Sequence, residues 1–167
     1  MNDRLTKSDI EKMQQEIEHR KLVLRKELLE EVKETRAHGD LSENFEYHAA
    51  KRAKNKNESR IRYLERMIRT AHIIEDNTAD DEVGMNNQVT VLFEEDGSVE
   101  PYKIVTTVRG DSLHNMISIE SPLGKALLRH KEGDRVAVKV NDNYSYYVTI
   151  QKIENTKDDD TDRIRGY

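Results

Sequence analysis

The stretch Tyr47–Ala71 reads YHAAKRAKNKNESRIRYLERMIRTA, and its spacing decides the fold. Tyr47, Ala50, Lys54, Asn57, Ile61, Leu64, Ile68 and Ala71 follow one another at alternating steps of three and four residues. That alternation is the seam of a coiled coil. The stretch contains neither Gly nor Pro, so nothing in it interrupts a helix. Lys54 and Asn57 are the polar members of the seam. They read either as a register device and a side chain snorkelling out, or as a loosened tip that turns polar groups towards a ligand.

Upstream, Thr6 to Arg36 consists mostly of strong helix formers. Ile10, Met13, Ile17, Leu24, Leu28 and Val32 recur there at helical spacing, and Leu22 and Leu29 are expected to widen the stripe. Thr6 or Ser8 suits the helix start. Each helix is expected to hold about 30 residues and to extend about 45 Å. The link between them is His38-Gly39-Asp40-Leu41-Ser42-Glu43-Asn44, in which Gly39 suits the left-handed residue that ends a helix. Two apolar stripes on either side of a short link predict an antiparallel rod with its turn near residue 40.

Downstream the period changes. Gln88 to Glu94, Pro101 to Val108, Asn115 to Glu120, Arg135 to Val140 and Tyr144 to Ile153 read as strands separated by turn residues. Pro122 opens a short helix over Leu123 to Leu128. The expected fold class is α+β: an antiparallel coiled-coil hairpin over 1–76, a linker over 77–87, an antiparallel sheet domain with a short helix over 88–154, and a charged, disordered tail over 155–167.

Composition supports a divided chain. Of 167 residues, 37% are charged and 35% apolar, where about 25% charged is usual. That leaves little apolar material for one compact core and points to an elongated or split molecule. Cys is absent, which excludes a disulfide scaffold, thiol catalysis and a cysteine zinc site. No apolar run approaches the roughly 20 residues of a membrane span, and the first residues lack a secretory apolar stretch. A cytoplasmic protein with no membrane association is expected. The net charge of -5 hides an asymmetry: residues 1–75 carry 17 basic against 15 acidic residues, and 76–167 carry 11 against 18. Eight basic residues fall within 51–69, a concentration suited to phosphates.

Asp40 and Glu43 are the candidate chemistry. Their spacing is that of a capping box, with Asp40 as N-cap and Glu43 reaching back. Two carboxylates on a turn also suit the completion of a Mg²⁺ site whose other ligands come from another protein. Alone they do not hold that ion tightly, because it keeps its waters and demands further oxygens.

The block Gly39-Asp40-Leu41-Ser42-Glu43-Asn44-Phe45-Glu46-Tyr47-His48-Ala49-Ala50-Lys51 resembles the signature of the Gre transcript-cleavage factors of bacterial RNA polymerase, closer to GreA than to GreB. A second block, Ile117-Ser118-Ile119-Glu120-Ser121-Pro122-Leu123-Gly124-Lys125-Ala126-Leu127, resembles that family's C-terminal motif. The resemblance implies a coiled-coil finger that enters the polymerase secondary channel and an FKBP-like domain that docks on the rim. It assigns Asp40 and Glu43 to the second, weakly held Mg²⁺ of the polymerase, with no cofactor of the chain's own and no metal held in isolation. The outcome is hydrolysis of backtracked RNA by the polymerase; the chain itself is not an enzyme.

By the same resemblance, Lys51 meets the nascent RNA 3′ segment, and Arg52, Lys54, Lys56 and Arg60 extend the charge along that helix. An ordinary solvated helix face is the competing reading. Glu120, Ser121 and Pro122 match the segment that docks on the polymerase β′ coiled coil, although Pro122 also serves simply to begin a helix. Ser42 either bonds RNA or polymerase, or is a plain turn serine. Phe45 either stacks on a nucleobase or polymerase, or staples the turn onto the first helix. Tyr47 reads as seam, and His48 as a surface or tip hydrogen-bonding group outside catalysis. A monomer is expected. The alternatives are a channel-plugging inhibitor of the same family and, in a different class, a free-standing prolyl isomerase or coiled-coil adaptor.

Overall fold

The computed structural model describes residues 3–38, 44–157 and 164. They divide into two units, one built on Ser8–Ala71 and the other on Arg4–Lys7 together with His72–Gly166.

In the first unit, helix α1 (Lys7–His19) runs through a single π-helical turn (Arg20–Leu24) into α2 (Arg25–Arg36), and α3 (Phe45–Thr70) returns beside them. The spacing of the seam is visible in its burial. Ala50, Asn57, Ile61 and Leu64 are buried, and Tyr47, Lys54, Ile68 and Ala71 are half-buried. Cross-helix partners run antiparallel: Glu16 meets Arg60, Arg20 meets Asn57, and Thr35 meets Asn44.

Leu22 and Leu29 do not widen the stripe; they are 67% and 38% exposed. From Leu24 the stripe advances in steps of four, to Leu28 and Val32. Each such step overshoots a 3.6-residue turn by about 40°. Leu24, Leu28 and Val32 are half-buried, while Leu22 and Leu29, about 100–120° round the helix from Leu28, face solvent.

The second unit contains a short parallel pair, β1 (Arg4–Leu5) with β2 (His72–Ile73), and a five-stranded sheet. The sheet strands are β3 (Gln88–Phe93), β4 (Val99–Val105), β5 (Met116–Ser118), β6 (Arg135–Asn141) and β7 (Tyr144–Glu154), in the order β5-β4-β3-β7-β6. Three pairings are antiparallel, as expected, but β4 and β5 run parallel, so the sheet is mixed. Between them the chain makes two short 3-10 turns and a left-handed step at Asn115, φ 54°, which returns it in the direction of β4. The strand expected to reach Val108 ends at Val105 for the same reason.

Helix α4 (Pro122–Leu127) lays Leu123 and Leu127 against Val136, Val138, Val148 and Ile150. Burying each such aliphatic side chain fully contributes about 1.5–3 kcal/mol. Gly124 sits where a Cβ would fall 2.0 Å from the carbonyl oxygen of Ser118, so no larger residue fits without moving backbone.

Two expected boundaries move. Residues 77–87 are not a free linker: Val83 is fully buried in the sheet core, donates its N–H to His130 O at 2.8 Å and accepts from Arg129 N–H at 2.9 Å. Residues 4–7 and 72–76, expected within the finger, group with the sheet unit, because β1 and β2 pair with each other there. Of the expected tail, residues 158–163 and 165–167 lie outside the described residues.

Candidate functional site

The end of the hairpin is built from the two helix termini that border the link. At the close of α2, the Thr35 hydroxyl donates to Glu31 O at 2.8 Å, and the Thr35 carbonyl accepts the His38 N–H at 3.2 Å. At the start of α3 the N-cap is Asn44. Its Oδ1 accepts the Tyr47 N–H at 3.0 Å, and its Nδ2 donates to Thr35 O at 2.5 Å. The capping role read onto Asp40 thus belongs to Asn44, since α3 begins at Phe45. Asp40, Ser42 and Glu43 lie outside the described residues; His38 and Asn44, which precede and follow that stretch in the sequence, share the Thr35 carbonyl as acceptor. Nδ1 of His38 lies 3.8 Å from the Glu46 carboxylate.

Phe45 is 84% exposed and does not staple the turn onto the first helix. At about 100° per residue, Phe45, Arg52 and Lys56 share one face of α3, opposite the seam; all three are exposed. Lys51 is exposed about 100° round the helix from Arg52, nearer the seam, whereas Lys54 is half-buried in the seam. Tyr47 is half-buried, as a seam residue should be, and its ring meets His48 edge-on with centroids 5.5 Å apart.

Arg60, expected to contact RNA, is committed elsewhere. It is 6% exposed, and its Nε and Nη2 donate to the two Glu16 carboxylate oxygens at 2.8 and 3.2 Å. Arg20 donates to the same carboxylate at 2.8 Å and to Asn57 Oδ1 at 2.9 Å, and Asn57 Nδ2 donates to Arg20 O at 3.3 Å. That carbonyl belongs to the π turn, where it also accepts from Arg25 N–H. Asn57 is therefore a register device rather than part of a loosened tip. Burial works to raise the Glu16 pKa, but the Arg60 and Arg20 guanidiniums outweigh it and hold the carboxyl below its usual value. Next along the rod, Arg25 grips Glu58 with two hydrogen bonds of 2.8 and 3.0 Å. Arg25 lowers the Glu58 pKa in turn.

In the sheet unit, Ser121 is the N-cap of α4, accepting from Gly124 N–H at 3.1 Å and donating to Ser118 O at 2.6 Å. Glu120 accepts from Arg4 Nε at 2.6 Å and lies 3.9 Å from Lys125 Nζ. Pro122 stands exposed at the first position of the helix. Among the described residues no three His, Cys, Asp or Glu side chains gather as a metal site.

Each quoted sequence block thus contains the N-cap of a helix, Asn44 in one unit and Ser121 in the other. A family model described as transcription elongation factor, N-terminal, matches residues 4–73, and one described as transcription elongation factor, GreA/GreB, C-term, matches residues 77–155. The chain belongs to the GreA/GreB family of transcription elongation factors. Transcription elongation factor GreA of Geobacillus kaustophilus (strain HTA426) is 45% identical over 136 residues, which is 81% of this chain and 86% of that protein. The GreA of Thermotoga neapolitana is 40% identical over 148 residues, 89% of this chain and 95% of its own. The solved structure of GreA factor homolog 1 (Gfh1) of Thermus thermophilus aligns over 93% of this chain and 100% of its own, at 25% identity and a TM-score of 0.43.

In this GreA/GreB family member, sequence reasoning did not single out Asn44 or Thr35. The signal for Asn44 was present: an Asn standing directly before a helically periodic run is an N-cap pattern.

Proposed function

We propose that this chain binds bacterial RNA polymerase during elongation and stimulates the polymerase's own Mg²⁺-dependent cleavage of backtracked RNA. The observation that carries the reading is the match of both family models in order across the chain, together with a two-helix hairpin whose link holds Asp40 and Glu43. A hairpin can enter a channel too narrow for a globular domain, and the sheet unit offers a separate surface for docking. Pro122, exposed beside the capped start of α4, is the centre of that surface, and Glu120 and Ser121 shape it through their bonds to Arg4, Ser118 and Gly124.

Two carboxylates are too few to hold Mg²⁺ alone but suffice to complete a partly liganded ion. In the polymerase site, that ion supplies stabilisation of the attacking and leaving oxygens of the hydrolysis. Asp40 and Glu43 contribute oxygen ligands and orient the attacking water. Phe45 stacks on an unpaired base of the extruded RNA, and Arg52 and Lys56, on the same face of α3, meet its phosphates. Lys51 flanks them. The chain is not itself a catalyst, and it works in the cytoplasm with the polymerase, as a monomer.

The test is a purified polymerase halted in a backtracked state. Addition of this protein with Mg²⁺ releases short RNA 3′ fragments at least tenfold faster than polymerase alone. Asp40→Ala and Glu43→Ala each remove most of that stimulation while the helical circular dichroism is retained. Fragment release by both variants at the unsubstituted rate would refute the metal role. Slower release with the unsubstituted protein than without it would identify an inhibitor instead.

A further inference from the structure

The two ends of the link at the hairpin turn hang on a single backbone oxygen. The Thr35 carbonyl accepts the N–H of His38, the last described residue before the link, at 3.2 Å, and Nδ2 of Asn44, the first after it, at 2.5 Å. A carbonyl oxygen has two lone pairs and accommodates both donors. The other half of the Asn44 amide caps α3 through the Tyr47 N–H at 3.0 Å. Thr35 is itself 7% exposed and fixed by its hydroxyl to Glu31 O at 2.8 Å and Val32 O at 3.2 Å, so the acceptor is anchored. An N-cap needs only an acceptor, which Ser or Asp provides as well as Asn. The second bond needs a donor on the same side chain, and among the usual N-cap residues only Asn combines a planar acceptor with an NH₂ group of that reach.

We propose that Asn44 is a positioning residue for the acidic pair: by clasping the end of α2 to the start of α3 it fixes where the link carrying Asp40 and Glu43 begins and ends. This rests on the cleavage-stimulating reading above. Ligand oxygens contribute to a transition state only when they are held near their productive geometry before the reaction. A loosened link keeps both carboxylates but spends less time with them in place.

The substitution that separates clasp from cap is Asn44→Ser, which keeps an oxygen for Tyr47 N–H, adds no charge beside the acidic pair, and is too short to reach Thr35 O. The measurement is RNA cleavage in halted backtracked complexes, with the factor titrated to saturation, for the unsubstituted chain, Asn44→Ser and Asp40→Ala. The expected result is a maximal rate for Asn44→Ser at least tenfold lower, with the half-saturating factor concentration and the melting temperature unchanged. Raising Mg²⁺ should partly restore Asn44→Ser but not Asp40→Ala, because its ligands are present and only their positioning is lost. A maximal rate equal to that of the unsubstituted chain, with Asp40→Ala inactive, overturns the clasp and leaves the function standing. So does a shift confined to the half-saturating concentration, which would mark a docking role. An Asp40→Ala chain as active as the unsubstituted one overturns the functional reading itself, and the clasp with it.

Discussion

The middle of the hairpin and the centre of the sheet unit solve the same problem with different materials. Among the described residues, the sheet unit holds a cluster of eleven buried aliphatic side chains, from Val83 to Ile150, between one face of the strands and α4. The hairpin at the level of Asn57 instead places Glu16, Arg20, Asn57 and Arg60 in mutual contact, with aliphatic residues such as Ile61 and Leu64 further along α3. An apolar core rewards any arrangement that excludes water. A polar belt rewards an arrangement that brings its charged and hydrogen-bonding groups together, and so it favours one register of one helix against the other.

The contrast has measurable consequences. The largest is expected in the sheet unit: Ile150→Ala empties a fully buried site, destabilising that unit by about 2–5 kcal/mol in urea unfolding. A loss below about 1 kcal/mol would mean that the aliphatic cluster is not what holds the strands together.

A smaller effect with a distinct pH signature belongs to the belt. Glu16→Gln removes the negative charge that Arg20 and the buried Arg60 share, which lowers the melting temperature of the hairpin's helical signal at neutral pH. The folded-state pKa of Glu16 is depressed, so its contribution is fully present above the unfolded-state value and is lost as pH falls through the folded one. Acidification below the ordinary glutamate range should therefore narrow the gap between Glu16→Gln and the unsubstituted chain. A gap that stays constant down to pH 3 would mean that the Glu16 charge does not contribute.

The smallest effect is expected on the outer face. Leu22→Gln, at a side chain 67% exposed beside the π turn, should change stability by no more than about 0.5 kcal/mol. A loss of 2 kcal/mol would return Leu22 to the seam.

Much of this architecture was legible in the residues. The alternating steps from Tyr47 to Ala71 specified α3 and its buried face, because a coiled-coil seam repeats on a period that no strand or loop shares. All five sheet strands and the Pro122 helix start were readable from alternation and turn chemistry. The π turn was not, since steps of four between apolar residues look helical whether or not the turn widens. The parallel β4–β5 pair was hidden because strand patterns record which face is buried and not which way the chain returns. Arg60 was misassigned by counting charge without phase: it stands next to Ile61, at the edge of the seam, where its guanidinium can turn inward to a residue 44 positions away. Likewise Asp40 and Asn44 are both good cap residues. Only the observed start of α3 at Phe45 decides between them.

The central claim is that two carboxylates from this chain complete a metal site belonging to the polymerase. The most direct measurement is the Mg²⁺ dependence of RNA cleavage in halted backtracked complexes, recorded without the factor, with the unsubstituted chain, and with the Asp40→Ala/Glu43→Ala double variant. The account predicts that the unsubstituted chain moves half-maximal cleavage to lower Mg²⁺ and that the double variant returns the curve to that of polymerase alone. A double variant that lowers the Mg²⁺ requirement as far as the unsubstituted chain does would contradict it.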